Sequence, residues 1–293
     1  MDTNRPSGIW IPLITPFRGG RIDLAALQRL TDDYLAAGIH GLIVGGTTGE
    51  PATLSAAEQD AALDAVLETV AGRCPVIAGL SGNDTQALLD RLPALERRSI
   101  AGLLSVAPYY TRPAQAGLIA HFGALAEATA LPIVLYNIPY RTGVNLELAT
   151  VQALSAHSNI VGIKDSGGNM SQLMDLIEHT RLNVLAGEDH LIFTTLALGG
   201  HGAISAAAHL LPERFVRLYA ATQNGDWEAA RTLARQLRPL VQALFSEPNP
   251  GPIKAVLARE GRIAEELRLP MTPVSAACRE TVWEIYQTLR ATP

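Results

Sequence analysis

The sequence predicts a parallel α/β architecture, an eight-stranded (β/α)8 barrel followed by a small helical domain. Three observations carry that expectation. Eight short apolar runs lie between Gly8 and Ser205, each followed by an amphipathic helical stretch, at intervals of roughly 20–35 residues. Strands that are apolar throughout belong to a parallel sheet covered by helices. The chain of 293 residues is long enough, since a closed barrel of this kind takes ~250. The competing open, doubly wound sheet would carry a GxGxxG turn after a strand, and the sequence has none. The β signal stops near Asn224-Gly225, so residues 1–224 are expected to form the TIM barrel and 225–293 the C-terminal helical domain.

The elements follow from local pattern. Gly8–Ile14 is the first apolar run, and Thr15–Gly20 reads as a loop. Asp23 is placed to cap a helix with Leu24, Leu27, Leu30, Tyr34 and Leu35 on its apolar positions, ended by Gly38. Gly41–Val44 is the second strand, closing on Gly45-Gly46-Thr47-Thr48-Gly49-Glu50. Ser55 with Glu58 forms a capping box for a helix through Val70. Further strands are expected at Pro75–Gly79, Gly102–Val106, Pro132–Tyr136, Asn159–Lys164, Leu182–Ala186 and Gly202–Ser205. Helices are expected at Asp84–Arg98, about Ala114–Thr129, Leu146–Ser155, Met170–His179, up to Leu198, and from Pro212. The tail reads as helices at Asp226–Phe245, Pro252–Glu260 and Pro273–Thr288, with a rigid, Pro-rich link at Ser246–Pro252.

Bulk properties narrow the function. A net charge of −5, a sequence pI near 5.8 and 5% aromatics give no electrostatic footprint for nucleic acid. The seven histidines form no HxxxH or HExxH pattern, so no dedicated metal site is expected. Cys74 and Cys278 lack metal or redox spacing and suit a reducing compartment. The N-terminus, Met1–Pro6, has no apolar leader core, and no apolar run approaches a membrane span. A cytoplasmic protein without membrane or nucleic-acid partners is expected.

The chemistry centres on Asn159–Gly168. Lys164 ends a buried strand and is one of only two lysines, the other being Lys254, in a chain with 23 Lys plus Arg. Arginine supplies nearly all the surface cations. A lysine amine, unlike a guanidinium, can lose its proton when burial or nearby cations disfavour charge, and then attack a carbonyl to form a Schiff base. The plain alternative is a strand-end lysine solvating its tip. In a barrel, however, active sites form at the C-terminal strand ends. Those ends carry Thr47 and Thr48, Tyr110, Tyr136, Arg141, Lys164, Glu188 and Asp189, and Ile204 and Ser205. A half-buried tyrosine plug, a tight Gly-Thr turn and a surface arginine explain these groups singly. They explain poorly why all share one rim.

Several long segments resemble one known family. Gly46–Glu50, Pro108-Tyr109-Tyr110, Tyr136–Gly143, Val161–Asp165 and Gly199–Ser205 are similar to the signature segments of the dihydrodipicolinate synthase/N-acetylneuraminate lyase family, as are Glu247–Pro250 and Arg268–Met271 of the tail. The resemblance runs in order from Gly8 to the C-terminus. It implies class I aldolase chemistry on pyruvate without metal or organic cofactor. By the resemblance, Lys164 is the Schiff-base lysine and Tyr136 the phenol that shuttles protons. Thr47 bonds that phenol, and Tyr110 completes the relay from a neighbouring subunit. Thr48 holds the pyruvate carboxylate, and Ile204 contacts pyruvate. A chain of hydroxyls suits a carbinolamine that must gain and lose protons repeatedly.

Arg141 bears on the second substrate. A guanidinium pairs with a carboxylate bidentately and has no use for a polyol. The resemblance therefore implies condensation of pyruvate with L-aspartate-4-semialdehyde to 4-hydroxy-tetrahydrodipicolinate, in lysine and diaminopimelate biosynthesis. A lyase or dehydratase of a 2-keto-3-deoxy sugar acid or sialic acid, and a non-catalytic keto-acid-binding paralogue, are the alternatives. Tyr140 stands where serine is commoner, and His209 where many members have Asn. The resemblance also implies a homotetramer, a dimer of dimers. Lysine-inhibited members carry Ser-Ala, a histidine and a carboxylate where this chain has Pro51-Ala52, Ala56 and Ala87. Asn83 and Tyr109 are kept, and Gln59 lies nearby. Weak or absent lysine feedback is expected, because the two ammonium groups of a bound lysine would be desolvated without partners.

Overall fold

The computed structural model describes residues 5–292. The leaderless N-terminus read from the sequence falls largely on residues 1–4, outside the described residues. In chain order the elements are β1 (Gly8–Pro12), the short β2 (Phe17–Arg18) and β3 (Arg21–Ile22), α1 (Leu24–Ala36), β4 (Gly41–Val44), α2 (Ala56–Val70), β5 (Val76–Gly79), α3 (Thr85–Glu96), β6 (Gly102–Val106) and α4 (Gln115–Ala128). Then come β7 (Ile133–Asn137), the single-turn α5 (Pro139–Thr142), α6 (Leu148–Leu154), β8 (Ile160–Asp165), α7 (Met170–His179), β9 (Asn183–Ala186), α8 (Ile192–Ala197), β10 (Gly202–Ile204) and α9 (Pro212–Gln223). The tail is α10 (Trp227–Leu244), α11 (Gly251–Arg259) and α12 (Ala276–Ala291).

Eight strands close into a barrel in the order β1-β10-β9-β8-β7-β6-β5-β4. This is the (β/α)8 fold expected from the alternating pattern, with C-terminal helices α10–α12 present. The helix starts obey the sequence signals. Asp23 accepts from the Ala26 amide, and Ser55 and Glu58 form the reciprocal capping box. One loop was more ordered than expected: Phe17–Ile22 is an antiparallel hairpin, β2 pairing β3. Gly19 and Gly20 both have positive φ, 59° and 75°, which a two-residue hairpin turn demands.

By contact density the chain divides into two compact units. One comprises the residues up to Gly8 with Pro75–Ile204, and holds β5 to β10. Its core includes Leu103, Leu135, Ile163 and Val184, all buried. Between β7 and β8 the pairing shifts once, Ile133 facing Ile160 and Val134 facing Gly162. Beyond that irregularity it is regular and sets Tyr136 opposite Lys164 and Asn137 opposite Asp165. Residues paired across parallel strands share a face, and successive residues alternate. Tyr136 and Lys164 therefore project together, and Asn137 and Asp165 project together on the other side.

The other unit comprises Ile9–Cys74 and Ser205 onward, with α1, β4, α2 and α9–α12. Here Gly41 pairs with Trp10, and a Cβ on Gly41 would lie 2.4 Å from the indole ring. Only glycine lets that ring lie flat on β4.

Candidate active site

Lys164 is the penultimate residue of β8, a strand buried along its whole length, and is 6% exposed. Its Nζ lies 4.1 Å from the centroid of the Tyr136 ring, itself buried. Burial pushes the amine down to about 8; Asp189 and Glu188 oppose that shift and Arg141 adds to it. The lysine stem is packed from one side by Gly187. A Cβ there would meet Ser166 Oγ at 2.2 Å and Lys164 Cε at 3.0 Å. The Gly187 amide donates to the Asp165 carbonyl at 2.8 Å, which fixes the approach of the two strand ends.

Behind Lys164 is a buried polar network. Asn137, fully buried, donates through Nδ2 to Asp165 Oδ1 and to Asn145 Oδ1, each at 2.9 Å, and its Oδ1 accepts from the Leu146 amide at 3.0 Å. Burial raises the Asp165 carboxyl, while Asn137 and the Gly167 amide hold it back. Asn145 passes the chain on to Gln172 at 2.8 Å, and Gln172 returns a bond to the Leu146 carbonyl at 2.9 Å. The network ties the ends of β7 and β8 to the start of α7. It immobilises the backbone that carries Tyr136 and Lys164.

Two carboxylates follow β9. Asp189 is buried, and Glu188 has its carboxyl raised by burial, with His190 at 3.8 Å opposing. Arg141 is exposed on α5, with its guanidinium 5.7 Å from the Tyr140 ring centroid. Ile204 closes β10, 1% exposed. Tyr110 differs from its neighbours. It is 90% exposed, with φ at +69°, and its amide donates to the Thr142 carbonyl at 3.2 Å. A non-glycine residue in the left-handed region costs about 1 kcal/mol or more. The bond to Thr142 fixes the backbone of a residue whose ring is exposed.

In the other unit, Thr47–Gly49 forms a short 3-10 turn after β4, closed by Glu50 in the left-handed region. Thr48 is 4% exposed, and its Oγ1 accepts from Asn249 Nδ2 at 2.9 Å. Thr15 Oγ1 donates to the Gly49 carbonyl at 2.7 Å, so both sides of the turn are held.

Residues 5–289 match the model of the dihydrodipicolinate synthetase family. The chain belongs to that family. Among relatives of this dihydrodipicolinate synthetase family member is 4-hydroxy-tetrahydrodipicolinate synthase 2 of Clostridium acetobutylicum, 42% identical over 276 residues that cover 93% of this chain and 96% of the relative. The solved dihydrodipicolinate synthase of Thermotoga maritima superposes with a TM-score of 0.95 at 37% identity, covering 97% of this chain and 98% of that one. A structure described as the first monomeric dihydrodipicolinate synthase variant also gives 0.95, at 36% identity and 98% coverage of each chain.

Sequence reasoning on this family member named the strand-end groups but missed their supports. Asn137 sits inside the Tyr136–Gly143 segment, yet nothing in the sequence shows it bridging two strands. Gly187 reads only as a loop glycine. Lys254 had a signal that went unused. It is the second of two lysines, set in the apolar run Pro252–Leu257, and it is 0% exposed. Both lysines of the chain are therefore buried.

Proposed function

We propose that the chain condenses pyruvate with L-aspartate-4-semialdehyde to give 4-hydroxy-tetrahydrodipicolinate. The observation that carries this reading is Lys164, a buried amine held near 8 against the Tyr136 ring. The neutral amine adds to the pyruvate keto carbon, and the carbinolamine loses water to give the iminium. Loss of a C3 proton yields the enamine, whose carbon attacks the aldehyde carbon; the resulting alkoxide takes up a proton. The semialdehyde's own amine then attacks the iminium carbon, closes the ring and expels Lys164 as the free amine. One water leaves overall, and no electrons are exchanged with an outside carrier.

In this reading Tyr136 moves the protons, with Thr47 and Tyr110 as further relay hydroxyls. Thr48 holds the pyruvate carboxylate, Ile204 packs against pyruvate, and Arg141 meets the semialdehyde carboxylate. These roles rest on the family resemblance. Asp189 and Glu188 also fit it, since they stabilise the iminium charge that replaces the ammonium of Lys164. The exposed, backbone-held ring of Tyr110 suits a group that serves a neighbouring subunit, within a dimer of dimers. The free thiols Cys74 and Cys278 suit a cytoplasmic setting. The deciding experiment compares turnover of aspartate semialdehyde with pyruvate against cleavage or dehydration of 2-keto-3-deoxy sugar acids. A clear preference for the semialdehyde is expected; a preference for a sugar acid overturns the substrate assignment.

A further inference from the structure

The second lysine, on α11, reaches Glu50, the residue that closes the turn carrying Thr47 and Thr48. Lys254 Nζ is 2.5 Å from Glu50 Oε1, with side-chain exposures of 0% and 3%. It also donates to the Glu266 carbonyl at 2.9 Å and lies 4.3 Å from the Phe17 ring centroid. Glu50 Oε2 faces the Arg268 amide at 3.4 Å. Both carboxylate oxygens and the ammonium are thus engaged.

Such a pair is a poor device for stability alone. Desolvating two charges offsets most of their attraction, and an apolar pair of similar volume often does as well. What the pair does fix is the backbone of Glu50. That residue has φ 56° and ψ 41°, the left-handed region where a side chain is unfavourable. Its amide closes the Thr47–Gly49 turn on the Thr47 carbonyl at 3.1 Å, and its carbonyl accepts from the Thr53 amide and hydroxyl, each at 3.1 Å. Letting Glu50 relax to φ < 0 would open both turns. The same end of α11 grips the turn a second time, through Asn249 on Thr48 Oγ1. That bond occupies an acceptor lone pair of the hydroxyl, so its proton is free to point at a substrate carboxylate.

We propose that Lys254 and Glu50 are positioning residues for the reaction: their buried pair locks the Thr47–Glu50 turn in the geometry that receives the carboxylate of pyruvate. The proposal rests on the function given above, in which Thr48 holds that carboxylate. Lys254 itself forms no adduct and touches no substrate; its contribution passes through Glu50.

The test uses Lys254→Met and the double variant Lys254→Met/Glu50→Gln, which leaves no unpaired buried charge and so keeps the comparison open should the single variant not fold. The expected result is a rise of about tenfold or more in KM for pyruvate, with kcat falling much less and with Lys164 still fully trapped by borohydride at saturating pyruvate. Amide exchange of Gly49 and Glu50, whose N–H groups close the turn on the Gly46 and Thr47 carbonyls, should accelerate in both variants. An unchanged KM in a folded variant, or a fall in kcat as large as the rise in KM together with a lowered melting temperature, overturns the proposal. Unchanged protection of the two amides does so independently of catalysis. Failure of the wild-type protein to trap pyruvate would instead overturn the Lys164 reading, while the amide exchange still decides the clamp.

Discussion

At the level of single residues, the proposed chemistry turns on one amine. An unperturbed lysine near 10.5 has roughly one free amine in three thousand at pH 7, whereas Lys164, held near 8, has about one in ten. Adduct formation requires the neutral form, so its rate should climb with pH through about 8 and level off above. Stopped-flow or quenched trapping with pyruvate across pH 6–10 checks this. Burial lowers the amine and Asp189 is the largest influence raising it. Asp189→Asn should therefore move the inflection to lower pH. A shift upward would show that the carboxylate acts otherwise than by holding the ammonium. The strand-end lysine was legible from the sequence because the chain offers only two lysines. How far its affinity for protons falls was not, since that depends on how completely the strand end is buried, an effect that Asp189 and Glu188 from the next strand end oppose.

At the scale of the element, strand ends do the positioning. The pairing of β7 with β8 brings Tyr136 beside Lys164, and the turn after β9 packs Gly187 against both Ser166 and the lysine stem. Gly187→Ala places a methyl 2.2 Å from Ser166 Oγ and 2.9 Å from the Asp165 carbonyl, so something must shift. The expected cost is about 1–3 kcal/mol in a denaturant titration, with slower adduct formation because the lysine is displaced. A variant as stable and as reactive as the parent would show that the turn yields without moving Lys164. The strands and helices themselves were legible: apolar runs and caps such as Asp23 and Ser55/Glu58 are local signals. The β2–β3 hairpin was less so, because two-residue strands carry almost no periodicity and only Gly19-Gly20 marks the turn. The Asn137–Asp165 bridge was not legible, because it joins residues 28 apart in sequence through the register of two strands.

At the scale of the whole molecule, assembly and regulation follow from what the surface offers. Tyr110 is 90% exposed, and the proposed function gives its hydroxyl to a relay shared between subunits. Tyr110→Phe should lower kcat while leaving the pyruvate adduct on Lys164 intact, and full activity in a dilute monomer would break the shared-site reading. Lysine feedback should be weak or absent. Ala56 and Ala87 offer no acceptor where a histidine and a carboxylate would pair an ammonium group, and Asn83 Oδ1 already accepts from the Tyr109 amide at 2.8 Å. Activity titration with L-lysine, with calorimetry, checks this; sub-millimolar inhibition with saturable binding would contradict it. The proposed reaction depends on Lys164 as the Schiff-base nucleophile. Borohydride reduction in the presence of pyruvate, followed by mass measurement of the intact chain and its peptides, tests it most directly. A single reduced pyruvate adduct is expected, located on Lys164 and not on Lys254. An unmodified chain, or an adduct located elsewhere, would contradict it.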